Sequence, residues 1–260
     1  MNPVLDTILY RRSIRAYEER PVPDGVREQI IQATLRAPTA GNMMLYSILH
    51  VRDPQAKETL ARTCDQQPFI ARAPLVLLFL ADYQRWFDYY LLSGCEDLSE
   101  RQGQPLQHPE EGDLFLACCD ALIAAQTAVL AAESLGLGAC YIGDIMENYE
   151  VHRDLFHLPR YAFPICLLCF GYPTQQQKEL PHTPRFDSRF VVFEDRYHSL
   201  SPHEFEEMFR PSTEAMQRTR NLPDGIENPG QWNYRRKFTA AFSREMRRSV
   251  RLMLEAWSGR

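Results

Sequence analysis

Four residues near the start of the chain offer charged and hydroxyl groups that could bind an anion. Arg11, Arg12 and Arg15 lie within five positions, with Ser13 between them. Guanidinium groups donate charge-assisted hydrogen bonds to phosphates and to electron-rich rings. A solvated surface cluster has the same composition, so the segment alone leaves both interpretations open.

Two further segments combine glycine with polar groups. Residues 38–42 (PTAGN) contain a proline and a glycine that shape a tight loop, and a hydroxyl and a carboxamide that could face a planar polar ring. Residues 136–144 (GLGACYIGD) contain three glycines, which allow close backbone approach to another group. The structural alternatives are a plain helix-to-strand turn for the first segment and a helix C-cap followed by a β-bulge for the second.

The elements that must position these segments are a mixture of helices and strands. Apolar spacing predicts helices beginning near Val4, at Asp24 as N-cap, at Leu114 and at Glu147. Continuous apolar runs predict strands at Tyr46–Val51, Leu75–Ala81, Ala139–Ile142 and Ile165–Phe170. Residues 82–112 are predicted as an irregular insertion or lid. This mixture favours an α+β or α/β architecture.

The predicted helix Leu114–Leu135 is apolar on all sides and rich in alanine. Such a helix is buried, either in the centre of the domain or across a subunit interface. Residues 201–260 are predicted as a helical, basic extension to a domain formed by residues 1–200. In its last part, Tyr234–Trp257, apolar residues share one helical face, which indicates either docking on the protein itself or binding to a membrane or an acidic partner.

Composition excludes several classes of function. The formal net charge of -5 argues against nucleic acid as the main partner, which would need a large basic face. No apolar run is expected to reach the length of a membrane span, and the first residues lack a signal-peptide pattern. We therefore expect a cytoplasmic protein with no membrane partner.

Seven cysteines, most of them in apolar surroundings, predict reduced core thiols. Cys166 and Cys169 have C-x-x-C spacing, but a strand directs residues three apart to opposite faces. No second pair completes a metal site, so no bound metal is expected.

Taken in order, five segments resemble the flavin-dependent nitroreductase family. These are RRSIR at 11–15, PTAGN at 38–42, GLGACYIGD at 136–144, FGYP at 170–173 and PRF at 184–186. The resemblance covers roughly residues 3 to 200. It implies an α+β fold with a central, mostly antiparallel sheet flanked by helices, and an intertwined homodimer that binds two FMN molecules in pockets made by both subunits.

The resemblance also implies a role for individual residues. The phosphate, the ribityl chain and the pyrimidine edge of FMN would be held by Arg11, Arg12, Ser13 and Arg15, with Arg185 as a further phosphate ligand. The partner subunit would contribute Pro38, Thr39, Ala40 and Asn42. Backbone groups of Ile142, Gly143 and Asp144 would face the N5 side of the ring, and Gln67, or else Gln66, its polar edge. Two positions depart from the family: Thr183 replaces a common lysine, and Ala40 replaces a hydroxyl residue.

The implied activity transfers hydride from NADH or NADPH to flavin N5 and then to a small acceptor, such as a nitroaromatic, a quinone or an enone, in a ping-pong mechanism. No catalytic acid or base from the protein is required. Two alternatives stay open at this point. The same FMN fold could serve dehalogenation, ring oxidation or flavin breakdown, or the chain could be a non-enzymatic module that binds acidic partners through its basic C-terminal helix.

Overall fold

Four strands with almost entirely apolar side chains form the central sheet of the computed structural model, which describes residues 2–218 and 225–259. The strands are β1 (Tyr46–His50), β2 (Leu75–Asp82), β3 (Gly138–Ile142) and β4 (Ala162–Gly171). Their order is β1-β2-β4-β3, and each neighbouring pair is antiparallel. All eight residues of β2 are buried, as a central strand covered on both faces requires. The predicted α+β fold with an antiparallel sheet is confirmed.

Helices flank this sheet, and further helices follow its last strand along the chain. They are α1 (Pro3–Tyr10), α2 (Asp24–Thr34), α3 (Pro54–Thr63), α4 (Phe69–Arg72), α5 (Gln84–Leu92), α6 (Cys95–Arg101), α7 (Glu111–Ser134), α8 (Tyr149–Phe156), α9 (Gln175–Glu179), α10 (Pro202–Gln217), α11 (Pro229–Asn233) and α12 (Ala241–Ser258). Two units are distinguished by their internal contacts: residues 1–180 with 245–260, and residues 181–244. The sheet lies in the first unit, and α10 and α11 lie in the second.

The two faces of the sheet carry separate hydrophobic clusters. On one face, β2 and β4 pack with α3 and α4 through residues such as Leu60, Ile70 and Cys169. On the other face, the same strands pack with α2 and α7 through residues such as Ala125 and Cys166. Cys166 and Cys169 thus point to opposite faces, as strand geometry predicts, and both are buried core thiols.

Helix α7 is the long helix of the core. Its N-terminus is closed by a capping box between Glu110 and Asp113, and Gly136, at φ +81°, follows its C-terminus. By length and mean hydropathy alone α7 could cross a membrane, although Asp120 interrupts its apolar run. Its alanine-rich face is nevertheless buried against the sheet, which is how the core helix of a folded domain packs.

Helix α12 packs against the first unit, as the docking interpretation predicts. Met253 and Trp257 are buried, and Trp257 Nε1 donates a hydrogen bond to the Glu110 carbonyl oxygen at 3.0 Å. The Trp257 ring also meets Tyr161 edge to face. The predicted continuous helix Tyr234–Trp257 is wrong in one respect, because a separate π-helical turn, Tyr234–Phe238, precedes α12.

Two other local predictions differ from the structure. Pro23 occupies the N-cap of α2, and Asp24 is the first helical residue, where its negative charge still favours the N-terminus of the helix. Residues 82–112 contain α5 and α6 and are not wholly irregular. Phe87 anchors α5 by packing its ring against Tyr161 and His108.

Candidate active site

The segment Arg11–Arg15 lies against β3. The Ile14 amide donates to the Ala139 carbonyl oxygen at 3.0 Å, and Ser13 forms an isolated bridge with the same residue. This close approach requires Gly138, since a Cβ atom there would lie 2.3 Å from Ile14 Cγ1. Gly138 therefore serves packing within the chain, and Gly136 serves the C-cap of α7.

The three arginines of this segment have different surroundings. Arg11 Nε lies 4.0 Å from Glu133 Oε1, and both atoms are buried without a hydrogen-bond partner among the described residues. Arg12 Nη1 donates to the carbonyl oxygens of Lys178 and Leu180. Arg15 is exposed. Its guanidinium is thus the one in this segment best placed to meet a molecule from solvent.

Two opposing effects act on the pKa of Glu133, the carboxyl group that faces Arg11. Burial raises its pKa to about 7, and the nearby positive charge of Arg11 limits that rise. The long Arg11–Glu133 separation and the buried, unpaired atoms leave room for a further polar partner at Arg11.

The end of β3 brings two of the predicted residues together. Gln67 Nε2 donates to Asp144 Oδ2 at 2.8 Å and to the Cys64 carbonyl oxygen at 3.0 Å. Both amide hydrogens of Gln67 are thereby used, so its carbonyl oxygen is the atom it can offer to a ligand. Gln66 is instead exposed and bonded to the Arg62 carbonyl oxygen. At Gly143, directly after β3, an added Cβ would meet open space.

A second carboxyl group lies close behind Asp144. Glu147 is only 4% exposed, and its Oε1 has no hydrogen-bond partner within residues 2–218 and 225–259. Burial raises its pKa to about 8, together with the charge of Asp144 and a hydrogen bond between the two side chains. At pH 7 the Glu147 side chain is therefore mainly in its neutral, protonated form.

A groove of about 580 Å³ opens beside the exposed Arg15. Its walls also include Tyr17, Arg20, Phe69, Arg72 and Pro74. Phe69 begins α4, two residues after Gln67, so the groove joins the arginine segment to the Gln67 region. Three arginines and two glutamates, Glu18 and Glu19, line this space, so both signs of charge face it.

The loop of residues 38–42 is held elsewhere in the first unit, by Asp120 of α7. The Ala40 amide donates to Asp120 Oδ1 at 3.0 Å, and the Thr39 hydroxyl donates to Oδ2. Asn42 is exposed at the end of this loop, at φ 57°. Pro38 precedes the loop and is exposed as well.

The predicted residues thus form two groups on different faces of the sheet. Gln67 is bonded to Cys64, which belongs to the hydrophobic cluster around α3. The 38–42 loop is bonded to α7, which covers the opposite face. Arg11 faces Glu133 of α7, which lies thirteen residues, or about 20 Å along the helix, from Asp120, so the arginine segment and the 38–42 loop of one chain lie far apart. Arg185 lies in the second unit, where its Nη1 donates to the Thr183 carbonyl oxygen at 3.3 Å.

The comparison with protein families is decisive for classification. A family model described as "Nitroreductase family" matches residues 8–172, more than half of the chain. The chain belongs to the nitroreductase family. The match includes the Arg11–Arg15 segment, the 38–42 loop, Gln67 and the end of β3.

Relatives within the nitroreductase family cover most of the chain. The "FMN reductase [NAD(P)H]" of Bacillus subtilis is 34% identical over 185 residues, 71% of this chain and 72% of the relative. The "Oxygen-insensitive NADPH nitroreductase" of Salmonella typhimurium is 32% identical over 200 residues, 77% of each protein. The solved NADPH:FMN oxidoreductase of Vibrio harveyi, complexed with NAD+, has a TM-score of 0.76 at 26% identity and covers 97% of this chain and 98% of its own.

Three acidic residues near the segments that resemble the nitroreductase family were not predicted from the sequence. Asp120 and Glu133 each lie in a largely apolar stretch of the sequence, whereas Glu147 has polar neighbours. An acidic residue in such a stretch must be paired, neutral or exposed, and that signal was available in the sequence. His152 is structural, because it is buried and its ring nitrogens are bonded to Thr63 Oγ1 and the Ile145 carbonyl oxygen.

Proposed function

We propose that this protein is an FMN-dependent oxidoreductase that oxidises NADH or NADPH and reduces a small acceptor, such as a nitroaromatic, a quinone or an enone. One observation carries the proposal. Segments far apart in the sequence, Arg11–Arg15, Gln67 and Ile142–Asp144, are brought together around β3, and an open groove lies beside Arg15. The curated relatives support it, since their names are FMN reductase and NADPH nitroreductase.

The residues present fit FMN. Arg15 is exposed beside open space, and Gly143 has no atom within 4 Å of its would-be Cβ, so backbone and ligand can approach there. Ser13 and Arg11 would hold the phosphate and ribityl groups, and the buried Arg11 Nε still lacks a hydrogen-bond partner in the described part of the chain. We assign Arg12 to the same phosphate, by the resemblance described above, and the role of Arg185 stays a prediction from the sequence.

Bound FMN would supply the redox chemistry, taking hydride from the nicotinamide and passing it to the acceptor. The protein contributes binding and electrostatics. Arg15 places a fixed positive charge at the pyrimidine edge, which favours the electron-rich state of the ring. Gln67 presents its carbonyl oxygen, because Asp144 and Cys64 hold its amide group in one orientation.

A second copy of the chain would complete the site with Pro38, Thr39, Ala40 and Asn42. The distance along α7 between Asp120, which holds these residues, and Glu133, which faces Arg11, supports this arrangement. An exposed apolar surface on α1 and α7, here called the α1/α7 surface, supports a homodimer as well. It contains Val4, Leu5, Ile8, Leu9, Phe115, Leu116, Leu122 and Ile123, of which Phe115 is 70% exposed.

The first test is the cofactor itself. Purified protein should be yellow, with an absorbance band at about 450 nm. The band should disappear when NADH or NADPH is added and return when a quinone or nitroaromatic is then supplied. Colourless protein that cannot be reconstituted with FMN would contradict the proposal. Bound FMN that neither nucleotide reduces would instead favour dehalogenation, ring oxidation or flavin breakdown.

The second test is the charge of Arg15. Arg15→Ala should weaken FMN binding or lower the flavin reduction potential, because it removes the cation beside the ring. Arg101→Ala, at the exposed end of α6, is the matched control and should change neither quantity. Unchanged affinity together with unchanged potential in Arg15→Ala would remove the assigned role.

The third test concerns the partner subunit. Phe115→Glu places a charge in the α1/α7 surface and should shift the protein from dimer to monomer in light scattering, with loss of bound FMN. Tyr197→Glu, at an exposed aromatic residue of the second unit, is the control. A wild-type monomer that binds FMN fully would contradict the shared site.

We place the protein in the cytoplasm. All seven cysteines are free thiols in the structure, which suits a reducing compartment. The non-enzymatic alternative loses its main support, because the apolar face of α12 packs into the protein's own core through Met253 and Trp257.

A further inference from the structure

The loop of residues 39–44 has a backbone that unrestrained chains rarely adopt. Gly41, Asn42 and Met44 have φ angles of 54°, 57° and 52°. The left-handed region is uncommon for residues other than glycine, and two such residues within three positions cost free energy. Such strain persists only where surrounding contacts fix the backbone, and it is concentrated at functional sites.

Asp120 supplies most of these contacts. It lies on α7 and is only 2% exposed. Its Oδ1 accepts the Ala40 amide at 3.0 Å, and its Oδ2 accepts the Leu45 amide at 3.1 Å and the Thr39 hydroxyl. A buried carboxylate with three donors is well satisfied, and the donors come from the two ends of this segment, Thr39 and Ala40 before the strained residues and Leu45 after them.

The hydroxyl of Thr39 also links the two ends of the loop through two hydrogen bonds. It donates to Asp120 and accepts the Met44 amide at 2.7 Å. Helix α5 holds the outgoing chain, because Trp86 Nε1 donates to the Met43 carbonyl oxygen at 2.7 Å. The conformation of the loop is therefore fixed from both sides of the strained residues.

These internal bonds leave one polar side chain of the loop directed outward. The Thr39 hydroxyl and the Ala40 amide are already committed to Asp120. Asn42 is exposed, and its carboxamide forms no hydrogen bond within the described parts of the chain. The fixed backbone therefore sets where the Asn42 side chain leaves the loop, on its exposed side, where it can meet a ligand.

We propose that Asp120 is a positioning residue for flavin binding: its buried carboxylate fixes the 39–44 loop so that Asn42 is presented to the FMN held by the second copy of the chain. This inference rests on the proposed function. Asp120 does not touch the cofactor in this arrangement. It acts through the loop, so its loss should change flavin affinity in a way that depends on Asn42.

The experiment measures the Kd for FMN of the dimer by titration of flavin-free protein, with unfolding by urea as a parallel readout. Asp120→Asn keeps the shape but replaces one acceptor oxygen by a donor that faces N–H groups, so it should weaken FMN binding by roughly tenfold or more. Val129→Ala, a buried change on the same helix away from the loop, controls for loss of stability alone. It should lower stability while leaving the Kd for FMN unchanged.

A double-mutant cycle separates positioning from general stability. Asn42→Ala should weaken FMN binding, and Asp120→Asn should add much less in that background than in the wild type. An equal effect of Asp120→Asn in both backgrounds, or a wild-type Kd in Asp120→Asn, would overturn the inference. If Asp120→Asn does not fold, Thr39→Val keeps the buried carboxylate, removes both hydrogen bonds of the Thr39 hydroxyl, to Asp120 and from the Met44 amide, and is judged by the same criteria.

Failure of this inference is distinct from failure of the proposed function. Wild-type protein that binds no FMN would overturn both. Wild-type protein that binds FMN, with an Asp120→Asn variant of equal affinity, would overturn the positioning role alone.

Discussion

Replacing Glu147 by glutamine should make the stability of the protein less dependent on pH. In the folded protein the Glu147 side chain keeps its proton at pH values far above those at which an ordinary glutamate loses it. The residue is buried, and the groups that face it are Asp144, Asp65 and Glu245, all of them acidic. Burial and the interaction with Asp144 raise its pKa from 4.5 to about 8. Glutamine has nearly the same shape and carries no titrating proton.

The sign of the effect follows from proton binding. Between pH 4.5 and about 8, the unfolded chain has lost this proton and the folded protein has kept it. Rising pH therefore favours unfolding through this range. The stability associated with the neutral side chain is complete below pH 4.5 and is lost by the time the pH passes about 8.

The size of the effect has an upper bound of about 5 kcal/mol, since one pKa unit corresponds to about 1.4 kcal/mol. We expect about 2 to 4 kcal/mol between pH 5 and 8, because water and side-chain relaxation reduce the cost of the buried charge. Glu133, whose pKa is raised to about 7, contributes with the same sign. The quantity to measure is therefore the difference between wild type and variant.

The assay is urea unfolding followed by circular dichroism at pH 5, 6, 7 and 8 and constant ionic strength. Relative to the wild type, Glu147→Gln should gain stability steadily as the pH rises. Glu96→Gln, at an exposed carboxylate of α6, is the control and should follow the wild type. A difference between wild type and Glu147→Gln that stays constant within about 0.5 kcal/mol across this range would refute the reasoning.

Two further predictions concern packing. Trp257→Ala should lower the free energy of unfolding by about 3 to 5 kcal/mol, because it empties a buried indole site and removes the hydrogen bond to Glu110; a loss below about 1 kcal/mol in urea unfolding would show that α12 is not docked there. Gly138→Ala should cost about 1 to 3 kcal/mol, because its Cβ would lie 2.3 Å from Ile14 Cγ1. Gly143→Ala should keep the free energy of unfolding within about 0.5 kcal/mol of the wild type, since its Cβ meets open space, and should weaken FMN binding. Equal stability of the Gly138→Ala and Gly143→Ala variants would contradict this difference between the two glycines.

Much of the sheet could be predicted from the sequence, because burial of both faces leaves a plain signal. Leu75–Ala81 is continuously apolar, and the strand extends from Leu75 to Asp82. The end of α7 was also predictable, since Gly136 supplies the left-handed residue that follows a helix. These features are local, and a short window of sequence contains their cause.

Features that depend on distant contacts were not predictable in the same way. A short window of sequence does not indicate that Gly138 leaves space for the Ile14 side chain. Nor does it indicate that Asp120 accepts a hydrogen bond from the amide of Ala40, 80 residues earlier in the chain. The break between Tyr234 and α12 was missed because the apolar spacing continues across it. The assignment of individual residues to FMN stays a prediction, as does the division of the chain at residue 200.

Helix α7 also limits how the chain can vary in length. Asp120 anchors the 38–42 loop, and Glu133, thirteen residues later, faces Arg11. One inserted residue between them would rotate one end by about 100° relative to the other, since a helix turns once every 3.6 residues. Either anchor would then point away from its partner. Insertions and deletions should consequently be tolerated in the connections around α7 and excluded from the helix itself.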